Sequence, residues 1–336
     1  MWHGIREVIQ YSAASSSILT NFLLVYLISC RSPGSIGSYK YLLIGVSVFE
    51  FFYGILDVLA SPITYTIGPT FLVIVPFKNT YFGRDLAVIY DLVYCAFFGF
   101  SMGMFVIIFA YRLMVFTNNP ILKVFNGIRM ISWFAFPLSF GITWPLVHLL
   151  FFGPSKEMDD FIRDEISSQL SMSLTEIYYT GPLFFSEKDN HIVIQPVLCT
   201  CFLMSLTAFS LLMVGIFGLK CYHHVQQLLG SDNVISRKRR DLQNQLFFAL
   251  VFQSSIPIIL MHTPVIIMYI CSLFAIKVNG IIVCVTISLF PALDPFPTLF
   301  IIESYRNAFF DLLRNLLFWR RFEKPQQQVS NISFGL

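Results

Sequence analysis

The sequence predicts an all-α membrane protein: a seven-transmembrane helix bundle with the N-terminus outside and a short interfacial helix after the seventh span. Three observations predict it. Of 336 residues, 56% are hydrophobic and only 12% charged, about half the charge of an ordinary soluble domain. Seven apolar runs are each long enough to cross a hydrocarbon core, which takes roughly 20 helical residues. The basic residues are unevenly shared. With the N-terminus outside, 15 of the 22 Lys and Arg fall on the inner side and seven on the outer, the bias expected of a membrane protein oriented that way.

The runs cover about residues 8–30, 41–61, 87–112, 128–152, 194–219, 244–271 and 278–302. The first is too long for a signal-peptide core and is followed by no small-residue cleavage site, so it is expected to remain as a span. Residues 61–86 read as a half-apolar connection carrying Pro62, Pro69 and Pro76. The longest connection, 153–193, is polar and acidic. Residues 1–302 are expected to form one seven-helix bundle and 303–336 a cytoplasmic tail. In that tail Phe309, Leu312, Leu313, Leu316 and Leu317 share a helical face, which predicts an amphipathic helix over about 305–319 lying in the interface. The sequon at Asn331 then faces the cytoplasm and stays unused. Six of the seven cysteines lie in or at the ends of apolar runs, where a thiol acts as a small hydrophobe, and no disulfide framework is implied. No cofactor, metal or nucleic-acid partner is expected.

The stretch Ser288–Arg306 sets an acid, Asp294, and three prolines, Pro291, Pro295 and Pro297, inside the last apolar run. A carboxyl group in a span is expensive unless it faces the protein interior and finds partners. The prolines bend the helix and free carbonyls that neighbours must satisfy. Counting 1.5 Å per residue puts Asn21, Glu50, Gln253 and Asp294 at one depth near the midplane, where they are read as a single polar network. Two carboxyls at one depth would repel if both were ionised, so a shared or added proton is expected. A second polar set, Asp57, Asp91, His148 and His262, lies toward the outer third. Asp91, Tyr94, Phe98 and Ser101 or Met102 share a face of the third span, and with His262 they are the candidate ligand contacts. His148, at a helix end, reads as an interfacial anchor.

Three letter patterns could be mistaken for chemistry. Gly99-Phe100-Ser101-Met102-Gly103 spells a nucleophile elbow, but it lies mid-helix and lacks the strand–turn–helix setting that motif needs. Its glycines suit close helix packing instead. Cys221-Tyr222-His223-His224 lacks the paired spacing of a zinc site. The run Arg237, Lys238, Arg239 and Arg240 opens the sixth span. It reads equally as a topological anchor on anionic lipid and as a contact for a cytoplasmic partner.

Several stretches carry a family resemblance: Asn21-Phe22-Leu23-Leu24, SPGSIGSYKYLLI at 32–44, Phe49-Glu50, and Tyr111-Arg112 closing the third span. So do residues 162–185 and, most specifically, QLFFALVFQSSIPIILMHTP at 245–264 and PALDPFPTLFIIESYRNAFF at 291–310. Along nearly its whole length the chain resembles the Str class of nematode serpentine chemoreceptors. The resemblance implies a G-protein-coupled receptor for small odorants, with its N-terminus outside, in the plasma membrane of sensory cilia. It also implies a heterotrimeric G protein as partner. Tyr111, Arg112, the Arg237–Arg240 cluster, Tyr305 and Arg306 are the candidate contacts for it. The chain departs from the wider rhodopsin-like pattern in having Tyr111-Arg112-Leu113 for Asp-Arg-Tyr and Asp294-Pro295 for Asn-Pro-x-x-Tyr. The rival reading is a ligand-gated cation channel of the insect odorant-receptor kind, whose N-terminus lies inside, against the charge count. No enzymatic role is expected, and the chain has neither the internal repeat nor the inverted pair of broken segments of a transporter.

Overall fold

A computed structural model describes residues 2–78, 83–124, 127–185, 191–230 and 237–322. Seven helices in it are long and apolar enough to cross a membrane: Gly4–Arg31, Tyr39–Ala60, Arg84–Phe116, Arg129–Phe151, Ile194–Gln227, Arg240–Leu273 and Ile281–Ile301. These are the first to seventh spans. A further helix, Glu303–Phe322, comes after the seventh. The third span is the most enclosed of the seven and forms the axis of the bundle, packing most closely on the fourth and fifth.

Glycine explains that packing. A Cβ on Gly99 would lie 2.6 Å from Phe140 O, and one on Gly103 would lie 2.5 Å from Pro137 Cα. The third and fourth spans therefore approach backbone to backbone, the geometry small residues permit in lipid. The Gly-x-Ser-x-Gly letters encode a helix contact.

Proline breaks two of the other spans. The sixth runs as α-helix to Pro257, passes through a π turn at Ile258–His262, and resumes as Thr263–Leu273. A π turn inserts one extra residue into the helical register and re-aims the helix beyond it. The seventh is divided into Ile281–Leu293 and Pro295–Ile301, with Asp294 at the joint. Pro295 has no N–H to give to Pro291 O, so that carbonyl needs another donor. Asn21 Nδ2 supplies it from the first span at 3.0 Å.

The two connections on one side of the bundle, 61–86 and 153–193, are more ordered than their composition suggests. They form a cap built around a three-stranded antiparallel sheet: β1 (Ile63–Ile67), β2 (Thr70–Pro76) and β3 (Ile177–Thr180), in the order β1-β2-β3. Gly68, at φ +50°, and Pro69 make the turn between β1 and β2. The strands alternate as a two-sided sheet must. Leu72 and Ile74 face outward with Ile63 and Ile67. There they meet Met158 and Ile162 of the helix Lys156–Glu165, then Ile166 and Leu170 of the turn after it. Phe71 and Val73 face inward onto the spans. The Lys156–Glu165 helix is started by Ser155, whose Oγ accepts from Met158 N at 3.2 Å, with Glu157 and Asp159 in the first turn. The cap is tied to the seventh span: Thr64 donates to Gly280 O at 2.5 Å and Thr66 to Val278 O at 2.8 Å.

Candidate functional site

Three polar assemblies lie along the bundle. The first joins the cap to the spans. Thr180, at the end of β3, donates to Asp91 Oδ2 of the third span at 3.0 Å. Its Oγ also lies 3.0 Å from His148 Nδ1 of the fourth span. On the other side of the ring, His148 Nε2 is 3.4 Å from Tyr269 Oη of the sixth. All four residues are buried. One strand of the cap is thus latched to three spans by a chain of hydrogen bonds shielded from water, where unmade bonds are costly.

Beneath the latch is a cavity of about 30 Å³, walled by Phe71 and Val73 of the cap, Tyr94 and Phe98 of the third span, Trp144 and Tyr269. It has room for a water or two and not for a larger guest. Of the expected ligand contacts, Tyr94 and Phe98 line this cavity and Asp91 sits at its latch. Ser101, Met102 and His262 lie a turn or more deeper and do not line it. Ser101 Oγ bonds Phe98 O at 2.7 Å and lies 3.3 Å from His262 Nε2, and Met102 packs under Thr207 and Ser210 of the fifth span. His148 is no interfacial anchor. It is buried at the centre of the latch because the cap covers the helix end that would otherwise meet the interface. Asp57, placed with these groups by depth, has its own partners: Ser288 Oγ on its Oδ2 at 2.7 Å, and Gln10 on its backbone oxygen.

The second assembly lies at mid-depth. Gln253 Nε2 donates to Asp294 Oδ2 at 2.6 Å, and Gln253 Oε1 accepts from Thr298 Oγ1 at 3.1 Å. The carboxyl groups of Glu50 and Asp294 are buried neighbours in this cluster. Asn21 lies beside them but gives its amide hydrogens to Pro291 O and Ser17 Oγ. Both Glu50 oxygens, Asp294 Oδ1 and Asn21 Oδ1 are left without a donor. The structure therefore brings Asn21, Glu50, Gln253 and Asp294 into one buried cluster, and that cluster holds more acceptors than donors.

The third assembly closes the end opposite the cap. Arg112 is buried, with its guanidinium 5.0 Å from the ring centres of both Tyr39 and Phe116. Its Nη2 donates to Gln243 O at the start of the sixth span, 3.2 Å away. Among the described residues no carboxylate pairs with it. A buried charge needs such compensation, and here rings and a carbonyl provide it. Tyr111 stacks on Tyr39, and Tyr305 is buried with its Oη 2.7 Å from Ser32 Oγ. Of the residues expected to meet a cytoplasmic partner, Tyr111, Arg112 and Tyr305 are thus interior in this arrangement. Arg306 is half-buried, bonded to Phe300 O, and Arg240 is half-buried too. The side chains of Arg237, Lys238 and Arg239 lie outside the described residues, as does Asn331.

Cys221 is buried on the fifth helix, whose turns continue to Gly230, and its thiol faces Phe109 O at 3.8 Å. All seven cysteines are free thiols. No group of His, Cys, Asp and Glu among the described residues is arranged to hold a metal.

Seven spans around an enclosed third helix, a capped buried cavity at one end and an arginine closed in at the other define a seven-helix membrane receptor. Residues 6–310 match the family model of the serpentine seven-transmembrane G-protein-coupled chemoreceptors of type Str, and the chain belongs to that family. It is 46% identical to the G-protein coupled receptor str-217 of Caenorhabditis elegans over 92% of this chain and 90% of that one. Serpentine receptor class r-10 of the same nematode is 25% identical, over 93% of this chain and 92% of its own length. At 21% identity, str-33 matches 99% of this chain and 98% of its own.

Proposed function

We propose that this receptor detects a small, largely apolar odorant that seats beneath the cap, between the sheet and the third, fourth and sixth spans, and activates a heterotrimeric G protein. The observation that carries this reading is the cavity itself. It lies under the cap, is mostly aromatic, and is edged by the few polar groups of the latch, the composition of a small-ligand site. Because the cavity is smaller than any such ligand, binding must open the cap or re-aim the aromatic walls. The ligand favours whichever arrangement it fits better and shifts the balance only by its differential affinity. At the far end, the enclosed Arg112 and its bond to Gln243 O favour reading this arrangement as resting. Activation would part the third and sixth spans there and bare Tyr111, Arg112 and Tyr305, with the breaks at Pro257 and Asp294 as bending points. In this reading the cap lies outside the cell and the Arg112 end in the cytoplasm, which the bias of basic residues supports, and the receptor works in the plasma membrane of the sensory cilium.

The test is a panel of volatile compounds applied to cells expressing the chain, read by calcium imaging with and without a G-protein inhibitor. A response abolished by the inhibitor supports the reading. Ligand-evoked current that survives it would establish a channel instead. A tag after Leu336, reachable by antibody only in permeabilised cells, is the expected orientation result, and labelling on intact cells would contradict it.

A further inference from the structure

A second apolar recess lies far from the capped cavity. It is a groove of about 390 Å³ in the half of the bundle away from the cap, between the third, fourth and fifth spans. Ala110 contributes to the third-span wall, Trp133 and Phe136 to the fourth, and Phe209, Met213 and Phe217 to the fifth. Phe136 and Phe209 are open to the surroundings. The groove runs along the spans at hydrocarbon depth, so its natural occupant is an apolar chain that the bilayer supplies.

Basic residues stand close in sequence to its lining at the end away from the cap. Lys123 follows the third span and Arg129 opens the fourth, and the described residues 117–124 and 127–134 carry no acidic residue. Both side chains are exposed, while Ile121 and Ser132, two and three residues from them, line the groove. An apolar slot for a chain, with two exposed cations two and three residues from its lining, suits an anionic phospholipid better than a neutral one. We propose that this groove binds one anionic phospholipid, with an acyl chain between Ala110 and the aromatic walls and the headgroup held by Lys123 and Arg129. Trp133 gives the site a route into the receptor: its ring meets Tyr111 edge-on, and Tyr111 stacks on Tyr39, over which the Arg112 guanidinium lies. A chain seated against Trp133 therefore supports the packing that keeps Arg112 enclosed.

The experiment takes the whole receptor from nanodiscs of phosphatidylcholine containing phosphatidylserine and weighs the retained lipid by native mass spectrometry. It requires neither a known ligand nor a known orientation. Wild type should retain one phosphatidylserine in preference to phosphatidylcholine. The paired substitution Lys123→Gln with Arg129→Gln should lower that preference by roughly fivefold for each charge removed, with chain retention kept. Ala110→Phe, which fills the groove, should abolish retention of either lipid. If that variant folds poorly, Met213→Trp narrows the groove from the fifth span and is read the same way. Equal retention of the two lipids by wild type would overturn the proposal. So would a groove-filled, folded variant that still holds phosphatidylserine, because the preference would then be surface attraction alone.

Discussion

The latch under the cap and the cluster at mid-depth are both buried and polar, yet they are satisfied differently. In the latch, donors and acceptors alternate along one chain: Thr180 gives to Asp91, and His148 stands between Thr180 and Tyr269, with Asp91 Oδ1 the one oxygen left without a donor. In the cluster, two carboxyl groups are neighbours, and four oxygens on Glu50, Asp294 and Asn21 lack a donor. A nearly matched chain gives one arrangement a definite geometry. A cluster short of donors is sensitive to any change that adds or removes one. In the proposed reading the two have separate duties: the latch holds the cavity beneath the cap shut, and the cluster sits where the seventh span is broken.

The largest expected effect comes from removing the polar atoms of Asp294. Asp294→Leu leaves Gln253 Nε2 without an acceptor at a fully buried site, at a cost of about 1–3 kcal/mol, and should lower surface expression outright. Asp294→Asn keeps the size and one acceptor and adds two donors to a cluster that needs them. It should fold, and shift the balance between resting and active states. Surface level and ligand dose–response of both variants check this. If the Leu variant matches wild type in both, the cluster does not bind the spans together.

Next comes the docking of the cap. A Cβ on Gly280 would lie 2.1 Å from Thr64 O, so Gly280→Ala must push β1 away from the seventh span. Overpacking of this kind costs about 1–3 kcal/mol. Hydrogen exchange should rise across residues 63–76 in that variant and stay unchanged around Gln253. Equal exchange in both regions would show that cap and spans open as one unit.

A smaller effect is expected from neutralising Arg237, Lys238, Arg239 and Arg240 together. Signalling should fall while ligand binding survives if the cluster meets a G protein. Loss of surface protein would instead assign it to topology.

The smallest expected effect is electrostatic. Glu176 is held below the usual carboxylate range by the Lys78 ammonium beside it and by the backbone N–H of Ser173. A depressed carboxyl contributes stability above its ordinary pKa and loses it as pH falls through the lowered one. Acidification below the usual glutamate range should therefore loosen the edge of the cap at residues 173–178 slightly, and Glu176→Gln should remove that pH response. Both groups meet solvent, so salt should weaken the pair as well.

Much of this was legible in the sequence, for reasons that differ by region. A helix converts residue number into depth, which is why counting along four apolar runs gathers Asn21, Glu50, Gln253 and Asp294 at one level. It also explains the Gly99–Gly103 face. A connection has no such ruler. Thr180 and His148 lie 32 residues apart, and nothing in their spacing says that they touch. The strands did leave a signal: Ile63–Ile67 and Thr70–Pro76 are rich in β-branched and aromatic residues around a Gly-Pro turn. In so apolar a chain that pattern is easily taken for a half-buried loop. The inward turn of Arg112 was hidden for another reason. A basic residue closing a span reads as a contact for a cytoplasmic partner, and only the rings of Tyr39 and Phe116 around it show that it is interior here.

In the proposed reading the latch keeps the cavity beneath the cap closed to ligand. Thr180→Val tests it most directly, because valine keeps the shape and removes both the bond to Asp91 and the link to His148. A receptor whose binding-competent state is scarce binds more weakly in proportion, so weakening the latch should raise apparent affinity. Once an agonist is known, its half-maximal concentration should fall in the Thr180→Val receptor, by about tenfold if the closed state loses 1.4 kcal/mol, with surface level preserved. An unchanged or raised half-maximal concentration at equal surface level would contradict the account.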